Sequence, residues 1–408
     1  MLKISELKKY FSGKKVLLTG HTGFKGSYMC VLLKYLGAKT YGYSLKPEKG
    51  SLYELLTKGA KLKTAKSNSQ ENFTKRKSLV SDEVFADIRD YKKLLTFVKK
   101  VKPDYILHMA AQPLVLIGYD EPQYTYDVNV MGTVNLMEAI RKTYTKRLNS
   151  PVSILNVTTD KVYENNDLSN YAFKENDKLC GRDPYANSKS CSELVTYSYE
   201  KSFFADKRLF RVSTARAGNV IGGGDLNKDR IIPDCYRAIK NKKDMFVRNP
   251  MSIRPYQFVL EPLLLYLNIL AMQKLNARYE GNYNIGPDKK DCLTTKELVT
   301  KFYEAVEDKI IDNLKNINSN LDVNNKRKIV NTKTHYKVAK VIYNQIKNKD
   351  AKHEAAFLRL DNRLIKKAFG YKAIFSMKET MRYTAKVYLD MLNAENLYSS
   401  VVDILDQL

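Results

Sequence analysis

Tyr185 and Lys189 stand four residues apart, which puts a phenol and an ammonium on one face of a helix. A phenol with a pKa of about 10 is a poor base at neutral pH. An ammonium about 4 Å away, at an effective dielectric of ~20, is worth roughly 4 kcal/mol, or about three pKa units, and brings the Tyr185 phenol to about 7. The pair then reads as the base of a redox site, Tyr185 taking a proton while Lys189 supplies the charge. The spacing alone decides nothing in a chain this rich in Tyr and Lys, since it recurs at Tyr10/Lys14 and Tyr197/Lys201, for example. Context singles out Tyr185/Lys189. A β-type run, Val152–Val157, delivers Thr158, Thr159, Asp160 and Lys161 at its end, and Asp183 and Pro184 then supply an N-cap and first position for the helix that carries the pair.

The element upstream that this chemistry needs is a nucleotide loop. Lys15–Thr19 (KVLLT) reads as a short buried strand, followed by Gly20-His-Thr22-Gly23-Phe24-Lys25-Gly26 and an apolar helix ending near Gly37. Glycines there let the backbone turn sharply and approach a pyrophosphate at the helix N-terminus. The second strand, Lys39–Ser44, ends without the acidic residue that holds an adenosine ribose; Ser44 and Lys46 stand there, leaving NAD and NADP both open.

Further candidates follow in order. Asp87 and Ile88 end a strand where they embrace an adenine, and Tyr105–Met109 leads into Ala110, Ala111 and Gln112, small residues that allow close approach to a cofactor. Residues 127–141 read as a helix. After a strand at Leu209–Ala215 come Arg216, Asn219, the run Gly222-Gly223-Gly224 and Arg230, which suit a second phosphate-bearing ligand, with Arg248 and Arg254 adding charge for a diphosphate. Gly281–Pro287 reads as a last strand and turn, and Leu358–Leu392 as small helices.

At 408 residues the chain is long enough for one large α/β unit with a smaller appended domain. No apolar run approaches the ~20 residues of a membrane helix, and the charged N-terminal stretch lacks an apolar signal core, so a cytoplasmic protein is expected. Cys30, Cys180, Cys191, Cys235 and Cys292 fall in no metal-ligand spacing, and no metal is expected. The net charge of +26 is spread along the chain with no nucleic-acid motif, and a positive field also favours anionic nucleotides. Thr57–Ser81 loses apolar periodicity and reads as a polar insertion whose removal leaves rate and stability little changed. The lysine-rich part of 288–352, chiefly 309–349, carries helical stretches and no assigned chemistry.

With these residues in place, the chain resembles the extended short-chain dehydrogenase/reductases, and within them it looks most like the CDP-glucose 4,6-dehydratases. GHTGFKGS, DIRD, HMAAQPLV, NVMGTV, TDK, DPYANSK, RAGNVIGGGD, SIRP, VLEPL and NIGP fall in the order of that family. Asp160-Lys161 carries the distinction, because dTDP-glucose dehydratases have Asp-Glu there. Leu116 and Gly118 depart from the Arg and Ser usual after QPLV, and Leu226, Tyr256 and Phe258 replace Trp or His.

The resemblance implies an α/β fold: a Rossmann-type doubly wound parallel sheet in 1–215, with 255–275 returning to it, and a smaller C-terminal α/β substrate domain in 216–408. It implies bound NAD and a nucleotide-sugar partner, with Gln112, Asn219, Arg230, Arg248 and Arg254 around the sugar nucleotide. By position, Tyr185 takes the C4 hydroxyl proton as hydride leaves C4, Thr159 hydrogen-bonds that hydroxyl, and Lys189 holds the ribose. Lys161 removes the C5 proton, Asp160 protonates the departing C6 hydroxyl, and hydride returns to C6. CDP-glucose would give CDP-4-keto-6-deoxyglucose. A 4-epimerase, a dehydratase of another NDP-hexose or heptose, and a dinucleotide-sensing regulator are the alternatives. A homodimer or homotetramer is expected, without nucleic-acid or membrane partners.

Overall fold

Lys15–Thr19 forms strand β1, with every residue after Lys15 buried. The computed structural model describes residues 1–65, 78–145, 149–166, 171–319, 340–343 and 358–408. Six further strands join β1: β2 (Lys39–Ser44), β3 (Asp82–Phe85), β4 (Tyr105–His108), β5 (Val152–Thr159), β6 (Phe210–Ala217) and β7 (Asn282–Ile285). They lie in the order β3-β2-β1-β4-β5-β6-β7, every pairing parallel. β4 and β5 are buried along their whole length, as strands covered on both faces must be.

Alternate side chains feed two cores. Val16, Leu18 and Leu155 point into one, beneath the helices Phe24–Tyr35 and Leu260–Leu275; Leu17, Ile106 and Ile154 point into the other, beneath Tyr91–Val101 and Gly132–Thr143. This is the doubly wound α/β sheet read from the sequence. Strand order reverses between β1 and β4, and such a switch point opens a crevice at the strands' C-terminal ends. A third core joins the helices Ile231–Asn241, Thr295–Ser319 and Met377–Leu392.

The polar stretch at 57–81 departs from expectation. A helix, Leu52–Ala65, runs into it, with Tyr53, Leu56 and Ala60 buried, and the Asn396 side chain donates to the Gly59 carbonyl at 3.1 Å. The partner is the C-terminal helix Leu397–Leu405, far away in sequence, so a local reading finds only lysines. Residues 66–77 lie outside the described residues. Leu56→Ala is therefore expected to destabilise the protein by about 2–4 kcal/mol, read as a lower denaturation midpoint. An unchanged midpoint would contradict the packing of this helix against the C-terminal one. In the second lysine-rich stretch, helix Thr295–Ser319 and strand Val341–Tyr343 are described, whereas 320–339 and 344–357 are not.

Candidate active site

β5 ends at Thr159, and a single 3-10 turn, Asp160–Val162, follows. The Asp183 carboxylate caps the helix Pro184–Ser202 by accepting from Ala186 N at 2.9 Å, with Pro184 in the first turn. These two elements bring the sequence-derived groups together. The Tyr185 hydroxyl shares a hydrogen bond with the Thr159 side chain. Thr159 Oγ1 donates to Asp160 Oδ1 at 3.0 Å, and Lys161 Nζ reaches the same oxygen at 3.2 Å. Asp160 is 1% exposed, and its other carboxylate oxygen, Oδ2, has no hydrogen-bond partner among the described residues.

The electrostatics correct one expectation. Lys189 Nζ donates to the Val157 carbonyl at 2.9 Å, and its pKa is pushed down to about 8, first by burial and then by Lys25, with Glu193 opposing. The Tyr185 phenol is raised by burial, not lowered to about 7; Lys161, the Thr159 hydrogen bond and Arg230 oppose that rise. The strongest cationic influence on the phenol is thus Lys161. A helix-spacing argument sees only Lys189, because Lys161 arrives from the end of β5.

The glycine loop is built for close approach. Gly20 has φ +74°, and a Cβ there would lie 2.7 Å from Ala110 N; one on Gly26 would lie 2.1 Å from the Gly20 carbonyl oxygen. Gly23 starts the helix Phe24–Tyr35 without a side-chain cap, which leaves first-turn N–H groups for an anion. These features fit the pyrophosphate of a dinucleotide. Thr22 Oγ1 shares a 2.8 Å hydrogen bond with Ser44 Oγ, tying the end of β2 to the loop. Lys25 is pushed down to about 8 by burial and by Arg230, with Asp160 opposing. Lys161 and Lys25 thus act on Asp160, while Arg230 pairs with Asp225 and Lys189 with Val157 and Glu193.

Other candidates fare differently. Asp87 Oδ2 holds Arg89 at 2.8 Å, and Ile88 is buried in the second core, both just past the end of β3 at Phe85. Ala110 N donates to Thr19 Oγ1 at 3.2 Å, and Ala111 is half-buried beside it. At Gln112, Oε1 accepts from Leu114 N at 2.6 Å, and Nε2 donates to Leu114 O and Thr125 Oγ1. Its amide shapes the loop after β4, with both Nε2 hydrogens used there. Asn219 is half-buried after β6, and Arg230, 3.0 Å from Asp225 Oδ2, faces Lys25 and Tyr185. Arg248 is exposed beside Asp229 at 3.3 Å, and Arg254 is buried, donating to the Ile253 carbonyl at 3.0 Å.

A model of the GDP-mannose 4,6 dehydratase family matches residues 17–384. The chain belongs to that family. It is 39% identical over 302 residues to a CDP-glucose 4,6-dehydratase of Salmonella typhimurium, covering 72% of this chain and 77% of that protein. It is 26% identical over 306 residues to a CDP-paratose 2-epimerase of Salmonella typhi, covering 70% and 82%. Among solved structures, UDP-glucose 4-epimerase of Stenotrophomonas maltophila, with bound NAD, superposes at TM-score 0.67 with 18% identity over 93% of this chain and 99% of that one. The UDP-glucose 4-epimerase of Thermus thermophilus, complexed with NAD, superposes at 0.63 with 19% identity over 92% and 99%. These likenesses show the shared fold.

Three residues outside the sequence reading of this dehydratase-family site support it. His21 is buried in the glycine loop, over Gly42, where a Cβ would come within 2.6 Å of its ring, and Nε2 meets Glu83 at 2.9 Å. Asn129 sits in a π-helical turn, Asp127–Met131, that interrupts the expected regular helix; its side chain bonds Gln112 N and O and Ser188 Oγ. Glu193, one turn beyond Lys189, pairs with buried Arg216 through two 3.0 Å contacts and also accepts from Thr158 and Thr214. Arg216 is thereby a structural partner and not a phosphate ligand. The i+4 spacing from Lys189 to Glu193 was the available signal. Glu193→Ala strands a buried guanidinium and is expected to cost about 3–5 kcal/mol in denaturant unfolding; a cost under about 1 kcal/mol would contradict the pairing.

Proposed function

We propose that this chain, a nucleotide-sugar 4,6-dehydratase by family, converts CDP-glucose to CDP-4-keto-6-deoxyglucose with NAD bound. The observation that carries the reading is the hydrogen-bonded line Tyr185, Thr159, Asp160, Lys161 at the end of β5. In it, Tyr185 takes the C4 hydroxyl proton and Thr159 orients that hydroxyl. Bound NAD supplies a reversible hydride store, accepting from C4 and giving back to C6. The new 4-keto group acidifies C5–H, which Lys161 removes, and Asp160 gives its proton to the departing C6 oxygen; Lys161 then returns its proton to C5 as hydride reaches C6, and the proton taken by Tyr185 restores that of Asp160. One water leaves and no net oxidation occurs.

The glycine loop and Ser44 support dinucleotide binding, while Arg230, Arg248, Arg254 and Asn219 are assigned to the sugar nucleotide. In this reading the segment 216–408, apart from the sheet-packed Leu260–Leu275 and β7, holds the substrate. The 39% identity to a CDP-glucose 4,6-dehydratase supports the choice of base and hexose. Self-association as a homodimer or homotetramer is supported by the exposed Leu194 and Tyr197 on the catalytic helix. Among the described residues no helix is long and apolar enough to cross a membrane. Five free cysteines support a reducing, cytoplasmic setting.

The test is a substrate panel. CDP-, dTDP-, GDP- and UDP-glucose and GDP-mannose are each incubated with protein and NAD or NADP, and products are weighed by mass spectrometry. Loss of one water from CDP-glucose alone, with NAD, is expected. Preferred dehydration of another sugar nucleotide would move the assignment to that base.

A further inference from the structure

The run Gly222-Gly223-Gly224 resembles a phosphate loop in sequence, yet it is buried among three other elements. A Cβ on Gly223 would lie 2.4 Å from Val387 Cβ, on the helix Met377–Leu392; one on Gly224 would lie 2.6 Å from Leu52 Cδ1, on the helix Leu52–Ala65. Two buried phenols close this knot. Tyr28, on the helix that begins at the nucleotide loop, donates to the Gly223 carbonyl at 2.8 Å. Tyr388, on the Met377–Leu392 helix, donates to the Asp225 carbonyl at 2.7 Å. The Asp225 carboxylate in turn accepts from Asn227 N at 3.1 Å through Oδ1 and holds Arg230 Nη1 at 3.0 Å through Oδ2.

We propose that Tyr28 and Tyr388 are positioning residues for the substrate diphosphate, fixing the 222–225 backbone, through it Asp225, and through Asp225 the guanidinium of Arg230. The proposal rests on the reading of Arg230 as a diphosphate contact. A guanidinium is a planar fork whose bidentate contact with phosphate tolerates little displacement. Asp225 is 2% exposed, its carbonyl is held by Tyr388 and its carboxylate by Asn227, so a shift of the backbone is passed on to the carboxylate. Each phenol satisfies a carbonyl of the run, and removing either hydroxyl leaves that carbonyl short of a partner and the loop free to shift. One helix thus carries the nucleotide loop at its start and a clamp on the substrate arginine one turn later, joining the two ligand sites mechanically.

The test uses the full-length protein with Tyr28→Phe, Tyr388→Phe, Arg230→Ala and the two double variants. CDP binding is measured by calorimetry, CDP-glucose turnover at steady state, and unfolding by thermal melts. Each Phe variant is expected to weaken CDP and raise KM by about five- to tenfold, with kcat within about twofold of wild type. On the Arg230→Ala background neither Phe substitution adds a further loss, because the clamp has nothing left to position. Equal losses on both backgrounds, or a lowered melting point with CDP affinity unchanged, would overturn the clamp and leave the phenols with a stabilising role only. If Arg230→Ala weakens CDP and neither Phe variant does, the clamp alone fails. If Arg230→Ala leaves CDP binding intact, the diphosphate reading of Arg230 fails, and the proposal with it.

Discussion

Tyr185→Phe is expected to lower kcat by about three orders of magnitude while the thermal midpoint stays within about 2 °C of wild type. The substitution removes one oxygen and keeps the ring, and Thr159 retains its 3.0 Å bond to Asp160. Nothing that holds β5 or the catalytic helix depends on that hydroxyl, since Asp183 caps the helix and Lys189 ties it to Val157. The loss therefore falls on chemistry. Burial raises the phenol while Lys161 and Thr159 pull it down, so the tyrosine is held between two influences of opposite sign. Paired melts and product formation check this; turnover within about tenfold of wild type would remove Tyr185 from the role of base.

The second large effect is expected at the Asp160–Lys161 pair. Asp160→Asn and Lys161→Met each leave Tyr185, Thr159 and the glycine loop in place, so oxidation at C4 proceeds while loss of water slows by about a hundredfold or more. Rapid mixing should then show absorbance of reduced nicotinamide that persists, with no 6-deoxy product. Lys161→Met carries an extra signature. Removing the main cation that opposes the rise in the phenol's pKa sends that pKa higher, so the pH at which oxidation reaches half its maximum moves up. Normal product formation by both variants would reduce the pair to a structural ion pair.

Local sequence carried the strand, turn and helix at Lys15–Tyr35, because a buried β run, glycines at fixed offsets and an apolar helix are short-range signals. The Asp183-Pro184 start and the end of β5 were readable for the same reason. What escaped depends on contacts between distant segments. Lys161 surpasses Lys189 as the cation acting on Tyr185 because a second chain segment delivers it. The lysine-rich Leu52–Ala65 helix is ordered by the C-terminal helix, and Arg216 looks like a phosphate ligand until Glu193 is placed beside it. At Gln112 the loop contacts to Leu114 and Thr125 were equally out of reach of a local reading, because they form only once the loop after β4 folds back on its side chain.

The most direct test of the dehydration chemistry follows one atom. CDP-glucose bearing deuterium at C4 is incubated with the protein and catalytic NAD, and the product is examined by mass spectrometry and NMR. A product lighter by one water, with deuterium carried from C4 to C6, is expected, because the same hydride is removed, held and returned within one site. A product of unchanged mass with deuterium still at C4 and inverted configuration there would contradict dehydration and make the chain an epimerase.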